Sequence, residues 1–96
     1  MNGIVFVGGM RTPFGDYGKS LKDIPLGDLG THAAKTCLVK AGLTADKIDD
    51  LERGNVVPVD MDVCYQSRTI ALNTGMSQDT ASLYVQRACG SGTQAI

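Results

Sequence analysis

Between Pro25 and Ala41 the apolar side chains fall at Leu26, Leu29, Ala33, Ala34, Cys37, Leu38 and Ala41, offsets of 0, 3, 7, 8, 11, 12 and 15 from the first. Steps of three and four residues place them all on one face of an α-helix. Pro25 suits the first turn and Gly42 the left-handed C-terminal cap. A helix with one apolar face has to lay it on another element, and the flanking segments supply strands. Residues 4–7, Ile-Val-Phe-Val, are β-branched at Ile4, Val5 and Val7 and precede Gly8-Gly9, which predicts a strand buried on both faces. Leu51 to Val57, closed by Pro58, is the second strand; Arg53, Gly54 and Asn55 interrupt it, so it belongs at a sheet edge or a functional rim. Ala81 to Ala88 is the third, with Leu83 and Val85 on one face and Tyr84 and Gln86 on the other. A further helical turn capped by Thr44 is expected over Ala45 to Asp50. Gln66 to Asn73 reads as a short helix ending at Gly75, and residues 10–23 and 58–64 as loops. The order β-α-β-α-β, followed by the start of a helix, predicts an α/β domain with right-handed crossovers and a largely parallel sheet.

Ninety-six residues suit one small domain. Hydrophobic content of 43% and charged content of 20% are ordinary for a soluble globular chain. A net charge of −1, with Lys and Arg scattered, argues against a nucleic-acid binder. No apolar stretch is long enough for a membrane helix. Met1-Asn2-Gly3-Ile4 carries neither a basic region nor a secretory apolar segment, so the cytoplasm is the expected compartment. The three cysteines, at 37, 64 and 89, are too few and too far apart for a disulfide framework. With one His and no Cys-x-x-Cys pair, no metal site is expected.

The chemistry concentrates in "VQRACGSGTQAI", residues 85–96. Cys89 stands where the third strand gives way to a helical start, and ligands of open α/β sheets gather beyond the C-terminal strand ends. Free N–H groups in the first turn of a helix favour a thiolate and can stabilise an oxyanion on an acyl group carried by the sulfur. Gly90 and Gly92 would let a substrate approach the backbone, and Ser91 could add a hydroxyl donor. The blander readings are an inert buried cysteine and a tight Gly-Ser-Gly turn. A phosphate cradle is less supported, since neither Gly-x-x-x-x-Gly-Lys-Ser/Thr nor Gly-x-Gly-x-x-Gly is present. Cys37 reads as a core residue, Cys64 as an incidental thiol in a loop, and His32 as a half-exposed structural imidazole.

Four segments in order resemble the thiolase family, whose members make or cleave 3-ketoacyl-CoA thioesters. "VQRACGSGTQAI" is similar to its nucleophile segment, "RTPFG" to its Arg-Thr-Pro-x-Gly loop, "LGDLGTHAAKTCLVKAGL" to its first long helix, and "GNVVP" to the Gly-Asn-Val stretch ending its second strand. The resemblance spans essentially the whole chain, which is then the N-terminal part, residues 1–96, of a thiolase-like domain with a mixed, largely parallel sheet.

That resemblance implies a mechanism. Cys89 would match the nucleophile, attacking an acyl-CoA or the ketone carbon of a 3-ketoacyl-CoA and becoming S-acylated, with its own backbone N–H serving the oxyanion hole. CoA, or the enolate of acetyl-CoA, would then take the acyl group. Gly90, Ser91 and Gly92 are the expected substrate-binding residues. CoA is a substrate, and no cofactor is implied. The family's activating His and its second, acid/base Cys belong to a C-terminal half that these residues do not include. The expected partners are therefore acyl-CoA, CoA and the remainder of a thiolase or a completing chain, with homo-oligomers (dimers or tetramers) usual in the family. The chain alone is expected to be inactive and to associate through exposed apolar surface. Two alternatives stand beside this one: a truncated, non-catalytic binding or interaction module, and a condensing enzyme of the ketoacyl-synthase type. Two residues depart from the family pattern. Gln86 stands where many thiolases have Asn, and Arg53 where an apolar strand residue is usual. Unless Arg53 is at a rim or has a partner, its charge is costly.

Overall fold

The computed structural model describes residues 3–96. Met1 and Asn2, part of the N-terminal reading above, lie outside the described residues. The elements are α1 (Leu26–Ala41), a 3-10 turn (Ala45–Lys47), β1 (Asp50–Gly54), a second 3-10 turn (Val63–Tyr65), α2 (Gln66–Thr74), β2 (Ala81–Val85) and α3 (Ser91–Ala95). β1 and β2 pair in parallel, with Asp50 opposite Ala81 and Arg53 opposite Tyr84. The Asn55 N–H extends the ladder to Val85 O at 3.1 Å.

α1 forms where its periodicity predicts, and each residue of its apolar face is half-buried. Pro25 sits just outside as the cap residue, and Gly42 closes the helix at φ 70°. The Leu43 N–H returns to Leu38 O at 2.9 Å, satisfying a carbonyl the helix leaves open. At the other end no neighbouring side chain caps the helix. The Leu26 N–H is taken instead by Asp60 Oδ2, at 3.1 Å. α2 packs across α1. The crossing is close at Gly30, where an added Cβ would lie 2.6 Å from Ile70 Cδ1.

The buried core gathers on α2 and the turn after it. Ile70, Ala71 and Met76 are its apolar part, with Gln66, Ser67, Thr74 and Thr80 also buried there, and Ser91 is buried separately at the start of α3. Arg68 clamps the turn that leads into β2, donating to Thr80 O at 2.7 Å and Gln78 O at 2.6 Å. Thr80 Oγ1 donates to Ile48 O at 3.0 Å, tying the starts of the two strands together.

Two expectations change. Residues 4–7 form no strand: the run lies exposed, Ile4 at 99% and Phe6 at 81%. A β-branched segment becomes a strand only when another strand satisfies its N–H and C=O groups, and among the described residues nothing pairs with it. The other strands are also shorter than predicted. β1 stops at Gly54 rather than Val57, and β2 at Val85 rather than Ala88. The fold class holds, as a parallel α/β arrangement of two strands with helices.

Candidate active site

Cys89 does not sit on the last residue of a strand. β2 ends at Val85, and a tight turn over residues 86–90 leads into α3 at Ser91. Within it the Gly90 N–H donates to Arg87 O at 2.9 Å and the Ser91 N–H to Ala88 O at 3.2 Å. Ala88 takes φ 44°, the one positive φ outside glycine among the described residues. A residue with a Cβ gives up roughly 1–2 kcal/mol in that conformation, so the turn has to be held.

Two side chains hold it. Gln86 Oε1 accepts the Ala88 N–H at 2.7 Å. Ser91 Oγ accepts the Arg87 N–H at 2.8 Å and donates to Ala88 O at 2.8 Å. Ser91 is 4% exposed, and its single hydroxyl proton is used inside the turn rather than offered outward. Arg87 reaches over the outside, with Nη1 donating to Gln94 Oε1 at 2.8 Å.

β1 supports the turn from below. A Cβ added at Gly54 would stand 2.5 Å from Ser91 O and 2.6 Å from Ser91 C, so only glycine lets the main chain of α3 rest there. One residue on, Asn55 meets Tyr84: the phenol donates to Asn55 O at 2.9 Å and accepts from Asn55 Nδ2 at 3.4 Å. The same amide donates to Val57 O at 3.1 Å. This clasp joins the end of β1 to β2 two residues before Gln86.

Cys89 is exposed on the turn. Gly90 is half-buried as the residue capping α3, and Gly92 is exposed on its first turn. Among the described residues the N–H groups of Cys89 and Gly92 have no acceptor on the main chain. A concavity of about 570 Å³ opens beside the turn, lined by Val56, Pro58, Cys64, Tyr84 and Gln86. A larger one, about 660 Å³, lies between residues 16–26 and Val59–Asp60 and shares no residue with the turn. His32 is exposed on α1, and Cys37 is half-buried on the apolar face of that helix. Cys64 is exposed. Among the described residues no three His, Cys, Asp or Glu side chains converge as a metal-binding group would require. Among the described residues no helix is long and apolar enough to cross a membrane.

Arg53, the charged strand residue, has a neighbour in Tyr84: its guanidinium carbon lies 6.0 Å from the centre of that ring. Burial pushes the guanidinium below its ordinary pKa, while Tyr84, Asp60 and Asp62 oppose the shift. Its Nη1 is buried and makes no hydrogen bond.

The sequence pattern puts Gln86 on a strand face with Tyr84, at a departure from the family's Asn, and makes Ser91 a hydroxyl donor to substrate; it identifies neither as a brace of the Cys89 turn. The spacing carries a signal in retrospect. A side-chain acceptor two residues before Ala88 and a hydroxyl four after Arg87 are the offsets at which side chains close local turns.

Comparisons with known proteins identify the family of the fold that carries this turn. A profile described as "Thiolase, N-terminal domain" matches residues 4–96. The human mitochondrial 3-ketoacyl-CoA thiolase is 38% identical over 96 residues, covering 100% of this chain and 24% of that protein. The beta-ketothiolase BktB of Cupriavidus necator is 37% identical over 93 residues, 97% of this chain and 24% of that protein. Among solved structures, the human mitochondrial 3-ketoacyl-CoA thiolase in complex with CoA superposes with a TM-score of 0.89 at 39% identity, covering 92% of this chain and 22% of that one. The acetyl-CoA acetyltransferase from Syntrophomonas wolfei gives 0.87 at 28% identity, covering 93% and 22%. The chain thus spans about a quarter of the length of the relatives it matches. Over that span, from the α1 face to the cysteine turn, it belongs to the thiolase family, matching the model of that family's N-terminal domain.

Proposed function

We propose that this chain supplies the nucleophile of a thiolase-type acyltransferase. Cys89 Sγ, as the thiolate, attacks the carbonyl carbon of an acyl-CoA, or the ketone carbon of a 3-ketoacyl-CoA. The tetrahedral oxyanion collapses with loss of CoA thiolate or of the acetyl-CoA enolate, leaving an S-acyl cysteine. Attack by CoA thiolate, or by that enolate in the reverse direction, releases the product and restores the thiolate. The Cys89 N–H, which has no main-chain acceptor among the described residues, serves as an oxyanion donor. Gly90 and Gly92 leave room for the thioester beside the main chain. The exposed thiol on a braced turn, whose Gln86 lines a concavity, carries this reading.

CoA is a substrate in this scheme, and no cofactor is required. A general base for the thiol is proposed to come from the rest of a complete assembly, since the one His of the sequence lies exposed on α1. A homo-oligomer and a cytoplasmic location belong to the same proposal, testable by sedimentation and by cell fractionation. The exposed run Ile4, Val5, Phe6 and Val7 supports completion by further protein over a free-standing module, because such a run demands cover.

The decisive measurement is peptide mass spectrometry after the assembly containing this segment is incubated with acetoacetyl-CoA. The expected result is an acetyl adduct on Cys89, discharged by added CoA and lost in Cys89→Ser. Thiolysis that persists in Cys89→Ser would overturn the proposal.

A further inference from the structure

We propose that Gln86 is a positioning residue for the Cys89 thiol. It acts by holding Ala88 in the left-handed conformation that turns the chain out of β2 and into α3. The inference rests on the reading of Cys89 as a nucleophile.

Ala88 is the residue immediately before Cys89, and its φ of 44° aims everything that follows. An alanine does not adopt that conformation unaided. Gln86 supplies the hold from one side, its Oε1 taking the Ala88 N–H at 2.7 Å. Ser91 supplies it from the other, donating to Ala88 O at 2.8 Å. The peptide groups on either side of Ala88 are therefore each held by a side chain.

Ser91 is buried against Gly54, so its replacement would disturb packing as well as the turn. Gln86 is different. It is exposed, it follows the last residue of β2, and the Ala88 contact is the one hydrogen bond its side chain makes among the described residues. Its amide oxygen is also a neutral acceptor, which holds the turn without setting a negative charge beside a thiolate. A shorter Asn amide can make the same contact, because an Asx side chain closes onto the N–H two residues ahead. The family's usual Asn and this chain's Gln are then two ways of building one turn.

The test uses the assembly that contains this segment. Site-resolved alkylation by iodoacetamide is followed on tryptic peptides, and hydrogen exchange is followed at the Ala88 amide. Cys37, half-buried on α1, reports loss of structure in the same sample. In Gln86→Ala the Cys89 rate is expected to fall about three- to tenfold and Ala88 exchange to quicken by a similar factor, the size of one lost hydrogen bond. Cys37 should be unchanged, and Gln86→Asn should restore both readouts. An unchanged or faster Cys89, or a Cys37 rate that moves in parallel, overturns the inference while leaving the nucleophile reading intact. If, in the unaltered assembly, Cys89 is alkylated no faster than the exposed Cys64, the nucleophile reading fails and this inference fails with it.

Discussion

Asp60 Oδ2 accepts the Leu26 N–H at 3.1 Å across thirty-four positions of sequence, and so caps a helix it does not belong to. The same oxygen takes the Gln66 Nε2 amide at 2.6 Å, and Asp62 Oδ1 takes that amide at 3.3 Å. One carboxylate therefore joins the first residue of α1 to the first residue of α2. The position suits an anion, since the open N–H groups of α1 point toward it.

Asp60→Ala is expected to cost about 1–3 kcal/mol. A lost N-cap alone costs about 0.5–2 kcal/mol, and Gln66, 1% exposed, loses the better acceptor of its amide. Urea unfolding followed by circular dichroism measures the loss. A change below about 0.5 kcal/mol, the range of ordinary surface substitutions, would mean that water replaces the cap without penalty.

Gly54→Ala is expected to be worse than its size suggests. The new methyl would meet the Ser91 carbonyl, which is main chain and cannot rotate away. Overpacking of this kind costs roughly 1–3 kcal/mol, and here the strain goes into the Cys89 turn. Iodoacetamide labelling should therefore change at Cys89 before it changes at Cys37. Equal stability and equal labelling would show that β1 and α3 separate easily.

The helices were legible because their pattern is local. The α1 face, the Gly42 and Gly75 caps and the α2 limits follow from residues within a few positions of one another. The run at residues 4–7 was misread because a strand is a property of pairs. Its sequence states a preference but not the presence of a neighbour. At the candidate site the sequence marks the junction between β2 and α3 but not the contacts that brace it. Asp60 reaches Leu26, and Tyr84 reaches Asn55, across distances no periodicity encodes. The Ser91 hydroxyl turns inward to the carbonyl of the left-handed Ala88, a contact that the sequence pattern does not encode.

Arg53→Met is expected to leave stability within about 1 kcal/mol or to raise it. The folded state depresses the guanidinium pKa through burial and leaves Nη1 without an acceptor. Folding therefore disfavours the charged form. That cost is fully present at any pH below the depressed folded value and disappears only above the unfolded one. It is constant across the working range, so any gain in Arg53→Met should be the same at about pH 6 and about pH 9. An apolar side chain of similar length removes the penalty and gives up one aromatic contact worth about 0.5–1 kcal/mol. A loss above about 2 kcal/mol in chemical denaturation would show that attraction to Tyr84, Asp60 and Asp62 outweighs desolvation.

The chain by itself is expected to self-associate through residues 4–7. Ile4 is 99% exposed, Val5 75%, Phe6 81% and Val7 67%, in a segment outside any helix or strand whose main chain has no ladder partner among the described residues. Apolar side chains and free backbone groups in one place recruit another strand, here that of a second copy. Sedimentation velocity should show species larger than the 10.1 kDa monomer, increasing with concentration. Val5→Lys with Phe6→Lys should shift the distribution toward monomer, because charge on an exposed segment opposes edge pairing. α1 and α2 pack on each other rather than on this run, so the helical circular dichroism should persist in the double variant. A wild-type chain that stays monomeric at high concentration would show that the exposed run is tolerated in water, and would remove the argument that it requires cover.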